Sequence, residues 1–398
     1  MKILYHHRTR GDGAEGVHIN EMIGAFQELG HEVSIAAPRG ATKASGLAAS
    51  QPNQPPSKMK LFLKQTAEIF YNIVDYARVR AAIKRTQPDF IYERYSSYNF
   101  AGVLAAKHLN TPIIVEVNIT YAGRFGSPFP VFYRRILKLA ESYVLRHADG
   151  IVVVSQALQE CVQNVREDIA TTIVTPNAIN LAQILKIDHR GLRMKRRAQL
   201  DVDDKIVIGF VGSLRQWHGI DFFADAMASL VEQIPNVYFL IVGSGEYETT
   251  LKQTIKDSKL EEYVNLVGPV PHDQVFSYIA AMDIGVMPDS NEFGSPMKIL
   301  EYMAMECVAV GPDLGPIREL IRDEETGRIF KQRDTDEFTS RLVKLSQNAE
   351  ARSVIGRRGR DYVLEQRIWT RNAEDVLTLI ERRSQSRRGI QLCETGVG

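Results

Sequence analysis

Residues 1–36, MKILYHHRTRGDGAEGVHINEMIGAFQELGHEVSIA, contain the pattern that decides the fold of this chain. A short apolar strand is predicted at Lys2–His6, an amphipathic helix at Val17–Leu29 and a second strand at Glu32–Ala36. The strands are almost continuously apolar, which is typical of a parallel sheet whose two faces are both covered by helices. This strand–helix–strand unit therefore predicts an α/β fold.

The same alternation continues along the chain and later begins again. The first series has further predicted strands at Phe90–Tyr92, Pro112–Val117 and Gly150–Val154. A polar, basic connector over 186–205 precedes a second series, with strands at Ile206–Val211, Tyr238–Val242, Val264–Leu266, Ile284–Met287 and Val308–Val310. The repetition predicts two Rossmann-like, doubly wound parallel-sheet domains, 1–185 and 186–371.

The composition excludes several classes of protein. The chain has 398 residues, 49 Lys and Arg, 48 Asp and Glu, and a net charge of +1, so no overall charge attracts it to nucleic acid. Its three cysteines, Cys161, Cys307 and Cys393, fit neither a disulfide framework nor zinc-ligand spacing and favour a reducing compartment. Neither a secretory signal nor an apolar run of about 18 residues is found, so the expected location is the cytoplasm.

The balanced total charge conceals a difference between the two halves. Residues 1–185 carry 20 Lys and Arg against 15 Asp and Glu, whereas the remainder carries 29 against 33. The mixed basic and apolar helix predicted at Lys58–Arg85 has two interpretations: a solvated face, or a surface for a membrane or an anionic acceptor. The second interpretation predicts peripheral contact with the inner face of the cell membrane through 58–85.

Residues Gly11–Gly16 match the pattern G-x-G-x-x-G between the first predicted strand and helix. Dinucleotide-binding proteins follow this pattern with an acidic residue at the end of the second strand, but here that strand ends in Ala36-Ala37-Pro38. A nicotinamide site and a purely structural turn are the lesser alternatives. A loop that lets the backbone approach a ligand near a helix N-terminus is favoured. Gly13, Gly16 and His18 are its candidate cleft residues, with a solvated His18 as the alternative.

The stretch Asp289–Glu306, DSNEFGSPMKILEYMAME, carries the strongest functional signal. Ser295-Pro296 predicts a helix start, with serine as the N-cap and proline as the first helical residue. The unpaired N–H groups and positive dipole end of this helix suit a phosphate or diphosphate, and Lys298 adds a full positive charge. Glu301 is placed to accept hydrogen bonds from ribose hydroxyls, with a merely solvated acid as the alternative.

A second loop, FVGSLRQWHG at 210–219, follows the first strand of the second series. Such loops lie at the carboxyl edge of the sheet, where open α/β sheets bind their ligands. Arg215 and His218 are candidate diphosphate contacts, and Trp217 is expected to pack.

Taken together, these motifs resemble glycosyltransferase family 4, which consists of retaining enzymes of the GT-B fold. The segments that carry the resemblance are Tyr92–Tyr95, Thr175–Ala178, Val242–Gly245, Leu266–Val270 and Gly294–Ala304. Some of these features resemble a subset of bacterial envelope-polysaccharide transferases. The resemblance implies two domains facing a cleft, with the donor nucleotide on the second domain and the acceptor on the first, near the glycine loop. It also implies that the last helix, over 372–388, packs back on the first domain.

The resemblance assigns further residues to the cleft. The donor-binding residues are Gly212, Ser213, His218, Gly243, Val267, Val270, Gly294, Ser295, Pro296, Met297 and Glu301. The nucleotide base is expected near Val267–Val270. The basic pair of the family falls on Ser213 and His218 here, so Arg215 and Lys298 are predicted to provide the positive charge.

Two catalytic positions also depart from the family. Its first glutamate, eight residues before Glu301, corresponds to Phe293 here, or to Asn291 if the Phe-Gly pair is aligned instead, and Glu292 is taken as the candidate. Its first-domain histidine corresponds to Asn118. The predicted catalytic residues are therefore Arg215, Lys298, Glu292 and Asn118.

The implied reaction moves a sugar from a nucleoside diphosphate donor to a hydroxyl of a saccharide, lipid-linked or small-molecule acceptor. It proceeds with retention of configuration, and neither a cofactor nor a metal is predicted. A nucleotide-sugar epimerase or sugar phosphorylase on the same scaffold, and a non-catalytic sugar-binding relative, remain alternatives.

Overall fold

The computed structural model describes residues 1–9, 11, 14–38, 57–126, 130–166 and 168–395. Gly13 of the glycine motif lies outside these residues. Within them, two six-stranded sheets form the framework, and every strand pairing in both sheets is parallel. The predicted doubly wound α/β architecture is confirmed.

The first sheet is built from the N-terminal half. Its strands are β1 (Lys2–His6), β2 (Glu32–Ala36), β3 (Phe90–Arg94), β4 (Ile113–Val117), β5 (Gly150–Val153) and β6 (Thr172–Val174). They are arranged in the order β2-β1-β3-β4-β5-β6, so β1 has neighbours on both sides and the strand order reverses there.

The second sheet repeats this plan with the C-terminal half. Its strands are β7 (Ile206–Val211), β8 (Val237–Val242), β9 (Val264–Gly268), β10 (Ile284–Val286), β11 (Val308–Pro312) and β12 (Arg328–Phe330). The order β12-β11-β10-β7-β8-β9 places the reversal between β7 and β10. A crevice opens at such a reversal, outside the carboxyl ends of the strands, and ligands of open α/β sheets bind there.

The α-helices lie on both faces of the two sheets. Those of the N-terminal half are α1 (Ala14–Glu28), α2 (Lys58–Thr86), α3 (Ala101–His108), α4 (Arg134–His147) and α5 (Gln156–Gln163). Those that follow are α6 (Leu181–Leu185), α7 (His189–Leu200), α8 (Ile220–Gln233), α9 (Glu248–Asp257), α10 (His272–Ala281), α11 (Met297–Ala304), α12 (Gly315–Arg318), α13 (Thr335–Gln347), α14 (Ala349–Gln366) and α15 (Trp369–Thr395). No helix of the described residues is both long and apolar enough to cross a bilayer.

Alternate residues of β1 show why the strands are apolar on both faces. Leu4 packs with Val79 of α2 and Val103 of α3, whereas its neighbour Ile3 packs with Phe26 of α1 on the opposite face. Since successive strand residues point to opposite faces, both must be apolar in a sheet that is covered on both sides.

The connector over 186–205 contains a helix that the sequence pattern did not predict. Helix α7 has little apolar surface and is held by its arginines instead. Arg193 and Arg197 donate to the carboxylate of Asp283 at 2.6 and 3.2 Å, and to carbonyl groups at the end of α10. Hydrogen bonds of this kind leave no apolar periodicity in the sequence.

Two segments of the chain connect the two halves, and they pair with each other. The Ile179 N–H donates to the Arg367 carbonyl at 2.9 Å, and the Trp369 N–H donates to the Ile179 carbonyl at 3.2 Å. Beyond this point α15 packs on the first sheet, where Trp369 and Val376 share a core cluster with Ile3.

Strands β6 and β12 were missed by the sequence patterns. Each has three residues, and each lies at an edge of its sheet. Their sequences, Thr-Ile-Val and Arg-Ile-Phe, are too short to show an apolar run against their surroundings.

Candidate active site in the cleft

The strand ends of the second sheet approach one another closely through glycine residues. Gly212 follows β7 and Gly243 follows β8, with φ angles of 135° and 130° that favour glycine. The Gly212 N–H donates to the Val242 carbonyl, and the Gly243 N–H donates to the Gly268 carbonyl. A side chain on Gly243 would come within 2.0 Å of the Gly212 carbonyl oxygen. Gly243 is therefore required by a close backbone approach, and Gly212 by its backbone conformation.

The N-terminal end of α11 faces the same edge and brings Lys298 to it. The Lys298 ammonium is inaccessible to solvent and makes no hydrogen bond within the described part of the chain. It lies 4.2 Å from the centroid of the Phe210 ring, and a side chain on Gly212 would come within 2.9 Å of it. Burial lowers the pKa of Lys298 from 10.5 to about 7, against the opposing effect of the Glu301 carboxylate. A buried cation without a hydrogen-bond partner is costly unless a ligand supplies the opposite charge.

The start of α11 differs from the prediction. The helix begins at Met297 and its N-cap is Pro296, so the prediction of Ser295 as the N-cap is wrong. The Ser295 hydroxyl instead accepts a hydrogen bond from the Asn177 N–H at 2.9 Å. The first N–H groups of α11 therefore receive no side-chain cap from Pro296, and they face the region beside Lys298.

Helix α11 is held against the sheet by the residue after Glu301. The Tyr302 hydroxyl accepts from the Val211 N–H at 2.8 Å, and its ring covers Gly285, where a side chain would come within 2.4 Å. Ile299 and Leu300 are fully buried in the same packing. This anchoring fixes Lys298 and the buried carboxyl group of Glu301, three residues apart, on one side of the helix.

The loop after β7 contributes His218 and Arg215. The His218 ring donates from Nδ1 to the Ser213 carbonyl at 2.7 Å. Burial, followed by the charge of Lys298, lowers the pKa of His218 to about 3. The ring is therefore neutral near pH 7 and its Nε2 can only accept, so Lys298 and Arg215 supply the positive charge.

Three further predicted residues surround this edge. Val267 and Val270 lie at and just after the end of β9, partly buried against the core of the second half. Gly294 donates its N–H to the side-chain oxygen of Asn291.

Opposite them, at the edge of the first sheet, a buried carboxylate is fully engaged. Glu116 of β4 accepts from Tyr92 at 2.9 Å and Arg94 at 2.5 Å, and also from Asn118. His18 of α1 lies 2.9 Å away through Nε2. Although burial acts to raise it, the positive charges of His18 and Arg94 hold the pKa of Glu116 well below its usual range.

His18 also links the two edges of the cleft. Its Nδ1 lies 2.9 Å from the side-chain oxygen of Asn177, and the Asn177 amide donates to the Ser295 carbonyl at 2.5 Å. Both ring nitrogens thus lie within hydrogen-bond distance of acceptor oxygens. The interpretation of His18 as a solvated residue is wrong, because it is buried. Gly16 lies two residues earlier in α1 and is buried as well.

Sequence reasoning missed a contact between the halves at Phe293. Its ring lies 4.8 Å from that of Phe125, and its carbonyl accepts from the Ser155 hydroxyl at 2.7 Å. The neighbouring Glu292 is exposed and pairs with Arg124 across the cleft at 3.1 Å. The structure therefore brings Glu292 to the rim of the cleft. An aromatic residue in a polar loop was the signal that could have indicated the Phe293 contact.

Asp289 is a second residue that sequence reasoning did not single out. Its carboxylate accepts from Arg333 at 2.8 Å and from Gln332 at 2.7 Å, while its N–H donates to the His218 carbonyl. The N–H bond joins the loops after β7 and β10, which together form the candidate donor site, and the carboxylate bonds join the loop after β10 to the segment after β12. Among the described residues, no three His, Cys, Asp or Glu side chains converge as metal ligands.

The two halves match two family models. The model for Glycosyltransferase Family 4 matches residues 15–183, and that for Glycosyl transferases group 1 matches residues 205–348. Together they cover most of the chain.

Two curated proteins are among the similar sequences. The α-D-kanosaminyltransferase of Streptomyces kanamyceticus is 24% identical over 64% of this chain and 66% of its own length. The UDP-Gal:α-D-GlcNAc-diphosphoundecaprenol α-1,3-galactosyltransferase of Escherichia coli is 23% identical over 66% of this chain and 68% of its own length. The chain thus spans about two thirds of the length of these relatives.

The fold has a close counterpart among solved structures. Anabaena HepE, crystallised in complex with UDP, superimposes with a TM-score of 0.72 at 18% identity, over 96% of this chain and 100% of the other. Two six-stranded parallel sheets, and family models matched on both halves, lead to one conclusion. The chain belongs to the family 4 glycosyltransferases and has the GT-B fold.

Proposed function

We propose that this protein is a retaining, metal-independent glycosyltransferase that uses a nucleoside diphosphate sugar as its donor. One observation carries the proposal: the buried Lys298 ammonium has no hydrogen-bond partner within the described residues. It lies at the point where the strand order of the second sheet reverses, beside the glycine backbone and the uncapped start of α11. A diphosphate would supply the missing negative charge and accept from the helix N–H groups.

The donor is proposed to lie across the loops after β7 and β10. Its diphosphate contacts Lys298, Arg215 and the first N–H groups of α11, and Glu301 accepts from the ribose hydroxyls. The solved relative HepE contains UDP, which is consistent with a nucleoside diphosphate in this fold.

Chemistry follows from the charge that develops on the leaving group. As the bond between the anomeric carbon and the diphosphate oxygen breaks, Lys298, Arg215 and the helix N–H groups stabilise the departing negative charge without a metal. The acceptor oxygen bonds to the same face of the anomeric carbon, and its proton passes to the departing phosphate oxygen. Asn118 and Glu292 border the acceptor side, where they are proposed to contact or orient the reacting groups.

The acceptor is proposed to be a saccharide hydroxyl, either free or lipid-linked, that reaches the cleft from the N-terminal half. The relative from Escherichia coli is named for a diphosphoundecaprenol acceptor, which supports the lipid-linked form. Peripheral contact of helix α2 with a membrane belongs to this proposal.

Donor binding tests the proposal directly. A thermal-shift screen of UDP-, GDP-, ADP- and dTDP-sugars identifies the base, and calorimetry then gives the affinity for the matching nucleoside diphosphate. Lys298→Ala and Glu301→Ala are each expected to weaken binding by at least about tenfold, since each removes a charged hydrogen-bonding group. Lys252→Ala, an exposed lysine on α9, is the matched control and should leave affinity unchanged.

Unchanged affinity in both site variants would rule out the assigned donor site. Nuclear magnetic resonance of the product tests the reaction class. Retention at the anomeric carbon with transfer to an acceptor supports the proposal. Turnover of the donor alone would indicate an epimerase or phosphorylase, and binding without turnover a non-catalytic relative.

A further inference from the structure

One arginine and two carboxylates form a network at the carboxyl edge of the second sheet, beside the candidate donor loops. Arg333, just after β12, donates from Nε to the Asp289 carboxylate at 2.8 Å and from Nη1 to the Asp221 carboxylate at 3.0 Å. Asp289 lies in the loop after β10, and Asp221 lies in the first turn of α8. A single guanidinium group thus connects three segments that are far apart in the sequence.

The shape of the guanidinium group suits this bridge. Its N–H groups point in fixed directions within one plane, so Arg333 can bond two carboxylates at once in a defined geometry. Two further donors complete the bonds of Asp289: Gln332 donates to its carboxylate at 2.7 Å, and the Ser290 N–H donates to it at 2.9 Å. The Asp289 side chain is therefore fixed by three separate donors.

The backbone of Asp289 extends this constraint to the loop after β7. Its N–H donates to the His218 carbonyl at 3.1 Å. A side chain on Gly219 would come within 2.7 Å of the Asp289 nitrogen, so the two backbones are in close contact. The His218 N–H in turn donates to the Arg215 carbonyl at 3.0 Å. A displacement of Asp289 would therefore move the turn that carries both Arg215 and His218.

Arg333 also compensates the negative charge of the two carboxylates. The side chains of Asp221 and Asp289 are only 19% and 9% exposed. One oxygen of Asp221 is inaccessible to solvent and makes no hydrogen bond within the described ranges of the chain. Without the guanidinium group, two poorly hydrated negative charges would repel each other beside the site proposed for a diphosphate. The loops after β7 and β10 would then lose both their bridge and their charge balance.

We propose that Arg333 is a positioning residue of the donor site, which acts through Asp289 to hold Arg215 and His218 in place beside Lys298. It contributes by fixing the groups that bind the diphosphate and not by touching the diphosphate itself. The inference rests on the proposed function for the identity of the ligand, but the position of the loop after β7 can be measured without a ligand.

Trp217 provides that measurement. Its ring centroid lies 3.7 Å from that of His218, and its side chain is 46% exposed. The second tryptophan of the chain, Trp369, is buried in the core beneath the first sheet. Because indole emission depends on the surroundings of the ring, a displaced loop changes the emission of Trp217 and leaves that of Trp369 as it was.

Calorimetry of the full chain tests the effect on the donor site, with whichever of UDP, GDP, ADP and dTDP the thermal-shift screen selects. Arg333→Met should weaken binding by at least about tenfold, because displaced binding groups lose most of their contribution. Arg333→Lys restores the charge but not the planar fork, so its affinity should lie between those of Arg333→Met and the wild type. Arg318→Met is the matched control, since Arg318 is an exposed arginine that pairs with Asp313 at the same edge, and it should leave affinity unchanged.

A double variant tests the route through Asp289. If Arg333 acts through this carboxylate, removing its charge as well relieves the repulsion that Arg333→Met creates. The variant Arg333→Met/Asp289→Asn should therefore bind no more weakly than Arg333→Met alone. Additive losses of affinity would overturn the proposed route.

Fluorescence of the ligand-free variants completes the test, after circular dichroism has verified that each is folded. Arg333→Met should change the emission maximum, Arg318→Met should not, and the change should disappear when Trp217→Phe is added. If the methionine variant does not fold, Arg333→Lys supports the same comparison with a smaller change.

Unchanged affinity in Arg333→Met, unchanged emission, or an equal loss of affinity in Arg318→Met would each overturn the inference. A wild-type protein that binds none of the four nucleoside diphosphates would contradict the proposed function. The emission change would still support the link between Arg333 and the loop after β7 in that case, so the two failures can be distinguished.

Discussion

The two edges of the cleft have the same architecture, but the buried charged group at one edge is fully hydrogen-bonded and that at the other is not. At the edge of the first sheet, Glu116 accepts from Tyr92, Arg94 and Asn118 and lies beside His18. At the edge of the second sheet, the Lys298 ammonium makes no hydrogen bond within the described residues.

A buried charge whose hydrogen bonds are all made within the protein differs in its role from one that makes none. A carboxylate surrounded by donors stabilises the fold around it and has little capacity left for a ligand. An ammonium without a partner destabilises the empty protein and gains most when an anion arrives. The first edge is therefore preorganised by its own side chains, while under the proposed function the second is completed by the donor.

The largest effect on stability is expected when the Glu116 cluster is disrupted. Glu116→Ala leaves Arg94 and His18 buried without their carboxylate, so we expect a loss of about 3–5 kcal/mol in the free energy of unfolding. Urea denaturation followed by circular dichroism measures it. Lys298→Met, which removes the buried charge at the other edge, is the control. It should not destabilise the protein, because it leaves no hydrogen-bond partner unpaired. Equal losses of stability in the two variants would contradict the difference between the two edges.

The next prediction uses the pH dependence of the unsupported edge. With a pKa of about 7, Lys298 loses its proton as the pH rises above 7, and only the protonated form attracts a diphosphate. Donor affinity should fall by up to about tenfold per pH unit above 7, with proton uptake on binding. Calorimetry at several pH values in two buffers measures both. Lys298→Arg should flatten the profile because arginine remains charged.

A smaller effect is expected at the connection between the edges. Asn177→Ala removes the bonds to His18 and Ser295, and a loss of about 1–2 kcal/mol in stability should follow. Asn236→Ala, which removes one exposed bond to the Asp204 carbonyl, is the control and should cost less than about 0.5 kcal/mol. Equal effects would mean that the connection adds nothing.

The smallest effect on stability is expected at the rim. Glu292 and Arg124 are both largely exposed, so Glu292→Gln should change the free energy of unfolding by less than about 0.5 kcal/mol. Turnover of the same variant then tests the predicted catalytic role, because a large loss of rate in a fully stable protein cannot be attributed to unfolding.

The fold could be predicted from sequence because central strands such as β1, β7 and β8 are apolar on both faces. The candidate site at the edge of the second sheet could also be predicted, since Lys298, Glu301 and the loop before them are close in sequence. The Glu116 cluster and the Asn177 connection were not, because their members are brought together by folding: His18 and Asn177 are 159 residues apart. Their polar types are equally common on solvated surfaces. The prediction of Ser295 as an N-cap was wrong for the same reason, since its hydroxyl accepts a hydrogen bond from the backbone of the distant residue Asn177.

The paired crossing at Ile179 and Ile368 restricts how the cleft can open. The two adjacent chain segments that cross there are held to each other by backbone hydrogen bonds of 2.9 and 3.2 Å. Twisting one half against the other would shear these bonds, whereas rotation about an axis through them would not. Rotation about that axis would still have to break the other hydrogen bonds between the halves, among them those of Ser155 with Phe293 and of Asn177 with Ser295.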